Sequence, residues 1–135
     1  MGIRLVKSIY TGSDVTSLGE STASDTIDGV LAATITTLTD GATITPDFSN
    51  SCNFTVTLGG NRTLANPSNL VAGQSGSIFI VQDATGSRTL AWGSYWDFAG
   101  GTAPTLTTTA NAVDRVDYIV RSSTSIHAVF TGDYS

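Results

Sequence analysis

One histidine, one cysteine and a scatter of aspartates are what this chain offers for acid–base, metal or nucleophilic chemistry. His127 lies at the outward parity of an alternating stretch, with no cysteine or acid at ligand spacing, so it builds neither a zinc site nor a catalytic triad. Cys52 has no second cysteine to pair with and reads as a small buried hydrophobe. Gly73-Gln74-Ser75-Gly76 has the residue types of a nucleophile elbow, but it lacks the Gly-x-Ser-x-Gly spacing and the strand-to-helix context. Carboxylates come in pairs at Asp25 with Asp28 and at Asp114 with Asp117, and a glycosidase needs two across a cleft. Arg115 and Arg121 accompany the second pair, which makes local ion pairing the simpler reading. The aspartate-rich turns lack the spaced ligands of a calcium loop. No catalytic residue, no metal site and no cofactor is expected.

A different kind of chemistry is available at residues 92–98. Trp92, Tyr95, Trp96 and Phe98 lie close together in a glycine-bounded segment. Flat apolar rings of this kind can stack on pyranose faces. Trp and Tyr are also enriched in subunit interfaces, and the same rings can cap a core. Core or interface packing is the preferred reading, with a host surface glycan as the ligand to test.

The elements that must carry these rings are strands. The organising stretch is Asn53 to Gln74, where Phe54, Val56 and Leu58 alternate with Thr55 and Thr57, the period of a strand with one face in a core and one in water. Gly59 and Gly60 end it, Arg62 to Leu64 begin a second short strand, and Asn66-Pro67-Ser68-Asn69 turns the chain again. Before it, LAATITTLT and ATITPDF flank Asp40-Gly41, a hairpin dipeptide, and Pro46 marks the second run as an edge or strand end. After it, Ile78 to Val81 are apolar on both parities, as in the middle of a sheet. RTLAW follows, then the aromatic segment as a loop, a short strand at Thr105 to Thr107, and a hairpin of two alternating strands about Ser122 to Ser125. About eight short strands separated by turns predict an all-β fold, an antiparallel, jelly-roll-like β-sandwich.

Residues 1–33 have another character. Ile3, Leu5, Val6, Ile9 and Tyr10 can form one short strand, and Val15, Leu18 and Ile27 are isolated apolar residues in the polar, turn-rich segment that follows, too sparse to fold alone. The pattern fits an extended N-terminal arm that orders on a partner, followed by a β-sandwich domain at 34–135.

Composition narrows the partners. A net charge of −5 with six scattered Lys and Arg argues against nucleic acid. No basic segment leads into an apolar run near the start, and no stretch approaches the ~20 apolar residues of a membrane helix, so no membrane partner is expected. With charged residues at 13% and hydrophobic ones at 40%, the surface is covered by Thr, Ser, Gly and Asn, which suits self-association or docking.

A resemblance adds to this. The Thr-rich strand, Asp-Gly turn, Asn61-Arg62-Thr63-Leu64, Asn66-Pro67, Gly73-Gln74-Ser75-Gly76, Gly86-Ser87-Arg88-Thr89-Leu90 and Trp92-Gly93 together resemble the C-terminal module of virion proteins of tailed bacteriophages, over about residues 37–135. The opening IYTGSDVTSLGE is similar to N-terminal segments of small phage structural proteins. The resemblance implies a non-enzymatic virion component, a homotrimer whose arm binds the major capsid protein or another virion protein. It implies a capsid decoration (cement) protein or short head fibre on the capsid surface, because an arm and one domain leave no room for a long rod. The alternative is a tail fibre or receptor-binding tip that contacts host glycans.

Overall fold

The computed structural model describes residues 32–134. The expected arm and its seven anchors, Ile3, Leu5, Val6, Ile9, Tyr10, Val15 and Leu18, lie outside the described residues, as does the Asp25/Asp28 pair.

The described residues form nine strands and a single short 3-10 turn at Ala99–Gly101, in two sheets packed face to face as a sandwich. The strands are β1 (Ile35–Thr37), β2 (Thr43–Ile44), β3 (Asn53–Leu58), β4 (Arg62–Leu64), β5 (Ser75–Gln82), β6 (Leu90–Trp92), β7 (Trp96–Phe98), β8 (Val113–Ser122) and β9 (Ser125–Thr131). One sheet runs β1-β3-β5-β8-β9-β7 and the other β2-β4-β6.

The all-β, sandwich-like expectation holds, but the sheets are mixed where antiparallel pairing was expected. Strands β1, β3 and β5 are parallel to one another, as are β2, β4 and β6. The chain alternates between sheets, so it winds as three stacked coils, each giving one strand to each layer. Asp40-Gly41 is therefore a corner between layers and makes no hairpin. Only β8, antiparallel to both β5 and β9, has the pairing direction that the turn signals suggested. Alternation of apolar and polar residues sets which face of a strand is buried and carries no information about the direction of its neighbour. Two further differences are local. Thr105 to Thr107 forms no strand, and the aromatic segment, expected as a loop, contains β7, parallel to β9.

The core lies between the layers. Phe54, Val56 and Leu58 of β3, Ile78 and Ile80 of β5, Val116, Tyr118 and Val120 of β8, and Ile126 of β9 face Ile44, Leu64 and Leu90 of the small sheet. Each such side chain contributes about 1.5–3 kcal/mol on burial. Strand β5 sits in the interior of the large sheet, as its two-parity apolar run predicts, and buries Ile78 and Ile80 completely while Phe79 and Val81 are half-buried on the outer face.

Polar side chains staple coil to coil at the corners. Arg62 donates from Nε and Nη2 to the Asp40 carboxylate at 2.8 and 2.7 Å, and the Asn61 side-chain oxygen accepts from Thr89 N–H at 3.1 Å. At the opposite corner, Asn69 donates to Asp47 Oδ1 at 2.8 Å and Asn66 Oδ1 accepts from Tyr95 N–H at 2.9 Å. Arg88 and Asp83 close a further turn at 2.7 Å. The Arg62 hydrogen bond holds the Asp40 carboxyl below the usual carboxylate range, and the Arg88 hydrogen bond does the same for Asp83.

The tightest approach is between the second and third coils. A Cβ on Gly76 would fall inside the van der Waals shell of the Cys52 carbonyl oxygen, so β5 can lie this close to residue 52 only with glycine there. That same carbonyl accepts from the Tyr118 hydroxyl at 2.7 Å, and burial pushes the hydroxyl pKa upward, keeping it a donor. Cys52 itself is half-buried and free.

Two outcomes follow from these contacts. Gly76→Ala is expected to lower unfolding stability by about 2–3 kcal/mol, the scale of overpacking a filled interior, measured as a urea midpoint shift. Asp40 and Asp83 bind protons less readily folded than unfolded, so their stabilisation is complete above about pH 5 and is lost as pH falls below the unfolded value of about 3.9. Arg62→Gln is accordingly expected to destabilise at pH 7, by an amount that shrinks as pH falls below about 3.9 and Asp40 takes up its proton. A gap that persists undiminished in acid contradicts this.

Candidate functional site

The aromatic segment is assembled by a corner. Strand β6 ends at Trp92, the chain turns through Gly93 to Tyr95, and β7 carries Trp96 and Phe98 across to the far edge of the large sheet. Gly93 is required there: a Cβ would lie 2.6 Å from the Asn66 nitrogen. All four side chains pack on the core, with Trp96 buried and Trp92, Tyr95 and Phe98 half-buried, and Trp92 joins Trp96 and Phe98 ring to ring.

Their geometry is that of packed rings. Trp92 meets Phe98 edge to face at 4.8 Å between centroids and Trp96 at 5.9 Å. Trp96 in turn meets Tyr118 at 6.1 Å and Phe48 at 6.4 Å, both edge-on, while Phe48 stacks on Tyr118 at 4.8 Å. Edge-to-face contacts of this kind add about 0.5–1.5 kcal/mol each beyond area burial. Trp96 Nε1 donates to the Ala65 carbonyl at 3.1 Å, satisfying its polar handle. A cleft of about 280 Å³ opens beside the cluster, lined by Trp92, Ser94, Trp96, Asp97, Phe98 and Ala103. That is at the bottom of the ~300–1,000 Å³ range of ligand pockets, so at most a sugar-ring-sized group fits.

The carboxylates Asp114 and Asp117 do not form a pair. Three residues apart on β8, they point to opposite faces of the sheet. Asp114 is 1% exposed and accepts from Thr107 N–H at 2.8 Å and Asp133 N–H at 2.9 Å, fastening the 99–112 connection and the C-terminal residues to β8. Asp117 is on the outer face, where Arg115 pairs with it at 2.9 Å and Ser77 Oγ donates to it at 2.6 Å. Local ion pairing thus accounts for Asp117. The burial of Asp114 went unread, although it shares the parity of Val116, Tyr118 and Val120.

His127 is exposed on the outer face of β9, next to Asp97 of β7 and Ile119 of β8 in the strand register. With Phe98, Ala99, Asp117 and Val129 these residues line a shallow groove of about 470 Å³. This groove was missed by sequence reasoning, because its lining residues come from β7, β8, β9 and the 3-10 turn and meet only through the strand register. Among the described residues, no three His, Cys, Asp or Glu side chains converge as metal ligands.

Residues 44–123, more than half of the chain, match the family model described as putative phage tail fibre C-terminal domain. The chain belongs to that family. The match runs from β2 to the β8–β9 turn and so takes in both sheets and the aromatic corner. No curated protein and no solved structure matches the chain. The protein is thus a phage structural protein of the tail-fibre type, associated with the virion.

The packing sets an order among the rings. Trp96→Ala is expected to cost about 3–5 kcal/mol, as for a buried aromatic truncated to alanine, and Trp92→Ala distinctly less. Equal losses in chemical denaturation contradict the assignment of Trp96 as the buried keystone.

Proposed function

We propose that this chain is a non-enzymatic appendage of a phage particle, attached through its N-terminal residues 1–33 and presenting the β-module outward as a homotrimer. The observation that carries the reading is the family match, which spans the folded module from one sheet to the other. Its corners are held by short polar staples and its interior by stacked rings, a construction suited to a rigid displayed module.

Two placements on the particle each have a supporting observation. The family description favours the distal end of a tail fibre, where the half-buried Trp92 and Phe98 at the cleft beside the aromatic corner would meet host surface glycans. The resemblance of Ile9 to Glu20 to the opening of small phage structural proteins favours a capsid decoration or short head-fibre role. There, Ile3, Leu5, Val6, Ile9, Tyr10, Val15 and Leu18 would seat on the major capsid protein. In either placement the apolar spacing of the first twenty residues supplies attachment, offset by the cost of ordering them.

Deletion of residues 1–20 is expected to leave a folded module that no longer co-sediments with particles, and truncated protein that still co-sediments contradicts the attachment assignment. Gold labelling of the bound full chain separates head from tail. Host glycans are expected to shift the tryptophan emission of a tail-tip protein, and an unchanged spectrum up to millimolar glycan removes the sugar-contact reading.

A further inference from the structure

Strand β7 is the outermost strand at one end of the six-stranded sheet, and an opening lies on each side of it. One is the aromatic-walled cleft of about 280 Å³, which includes Trp92 and Ser94; the other is the groove of about 470 Å³ over β9 and β8. Asp97 and Phe98 line both, so the two openings meet at this one strand. From there the groove follows a row fixed by register, Asp97 to His127 to Ile119, all three exposed. With strands about 4.8 Å apart, the row spans about 10 Å. A ligand that fills both openings is therefore a chain of linked units, of which a single ring would occupy only the cleft.

The groups around the two openings select the chemistry of that chain. Neither lining contains a lysine or an arginine. Asp117 is already paired with Arg115, whereas Asp97 has no cation partner among the described residues and accepts from the Ser125 hydroxyl at 2.7 Å. An anionic ligand would meet a carboxylate without a countercharge, on a chain that carries −5 overall. Hydroxyl groups suit the same place. An ionised carboxylate has several lone-pair sites and only accepts, so Asp97 can take protons from more than one hydroxyl, and the His127 ring can donate. Asn66 donates to Ser94 Oγ at 3.2 Å, which leaves the Ser94 proton for a further acceptor. Trp92, Phe98, Ile119 and Val129 add apolar surface for the C–H faces of sugar rings. A mostly apolar lining with a few placed polar groups is the make-up of a small-molecule site.

We propose that β7 carries the polar anchor of a binding track for an uncharged oligosaccharide. One sugar unit sits in the cleft at Trp92 and Phe98, and the units that follow pass over Asp97 toward Ile119 and Val129. This rests on the glycan-contact reading of the tail-tip placement and adds to it a second opening, the anchoring carboxylate and the charge class of the sugar.

The test is binding of the full chain to an immobilised set of bacterial surface oligosaccharides, uncharged and uronate-bearing, with tryptophan emission as the solution readout. Affinity for uncharged chains is expected to rise about tenfold from one sugar unit to four. Asp97→Asn is expected to weaken binding about tenfold, the scale of one hydrogen bond to a charged group. Ile119→Glu and Val129→Glu, at exposed positions, are each expected to weaken the four-unit chain far more than the single unit, and Ala91→Glu on the opposite sheet to change neither. Far-UV circular dichroism confirms that each variant is folded. A preference for uronate-bearing sugars overturns the proposal while the glycan-contact reading stands. Binding that is indifferent to Asp97→Asn and to both groove variants does the same. Absence of binding to every sugar removes the glycan-contact reading together with the track.

Discussion

Strand β3 lies on strand β5 in unbroken parallel register for six consecutive pairs, from Asn53 opposite Ser77 to Leu58 opposite Gln82. Everything else in the module is conditioned by that register. A slip of one residue would turn Phe54, Val56 and Leu58 to solvent and bring the threonines into the core. Gly76 permits the approach of the two coils, and Tyr118, reaching from β8 to the Cys52 carbonyl, ties the antiparallel half of the sheet to the same point. The coils are thus fixed where parallel pairing gives way to antiparallel pairing. Strand β5 does both, with β3 on one side and β8 on the other.

From this junction the aromatic corner gains its rigidity. Phe48, Tyr118 and Trp96 form a continuous packed set, and Trp92 and Phe98 extend it toward the surface. Such a wedge closes one end of the sandwich and leaves a small cleft beside it. Asp114 does the corresponding work for the long connection between β7 and β8, because a buried carboxylate with two backbone donors fixes segments that form no strand of their own. Rigid corners on a low-charge surface agree with the membership of the chain in a family of phage fibre modules.

Much of this was legible in the residues and some was not. The inward parity of Phe54, Val56 and Leu58, the interior place of Ile78 to Val81 and the β8–β9 hairpin follow from short-range pattern, which depends only on neighbouring positions. The parallel coil does not, because strands that pair 18 to 28 residues apart leave no mark on the local period. One trace existed. Arg62-Thr63-Leu64-Ala65 returns as Arg88-Thr89-Leu90-Ala91, and both runs fall at strands of the small sheet, though Leu64 pairs with Trp92 and not with Leu90. The two-residue offset explains why the repeat alone would have given the wrong register. Strand β7 was hidden by its glycines and by rings that read equally well as loop. The adjacency of Ile119 and Val129 on the outer face was hidden for a different reason: they stand on β8 and β9 and become neighbours only through the strand register.

In the proposed arrangement the compact β-module stands outside the particle, and the segment before it makes the attachment. Electron cryomicroscopy of the intact virion reads this directly. Density for the two-sheet module projecting from the particle surface, with chain leading from Ala32 into a neighbouring virion protein, is the predicted result. A module buried within the shell or tail wall, with the N-terminal residues directed into solvent, would contradict it.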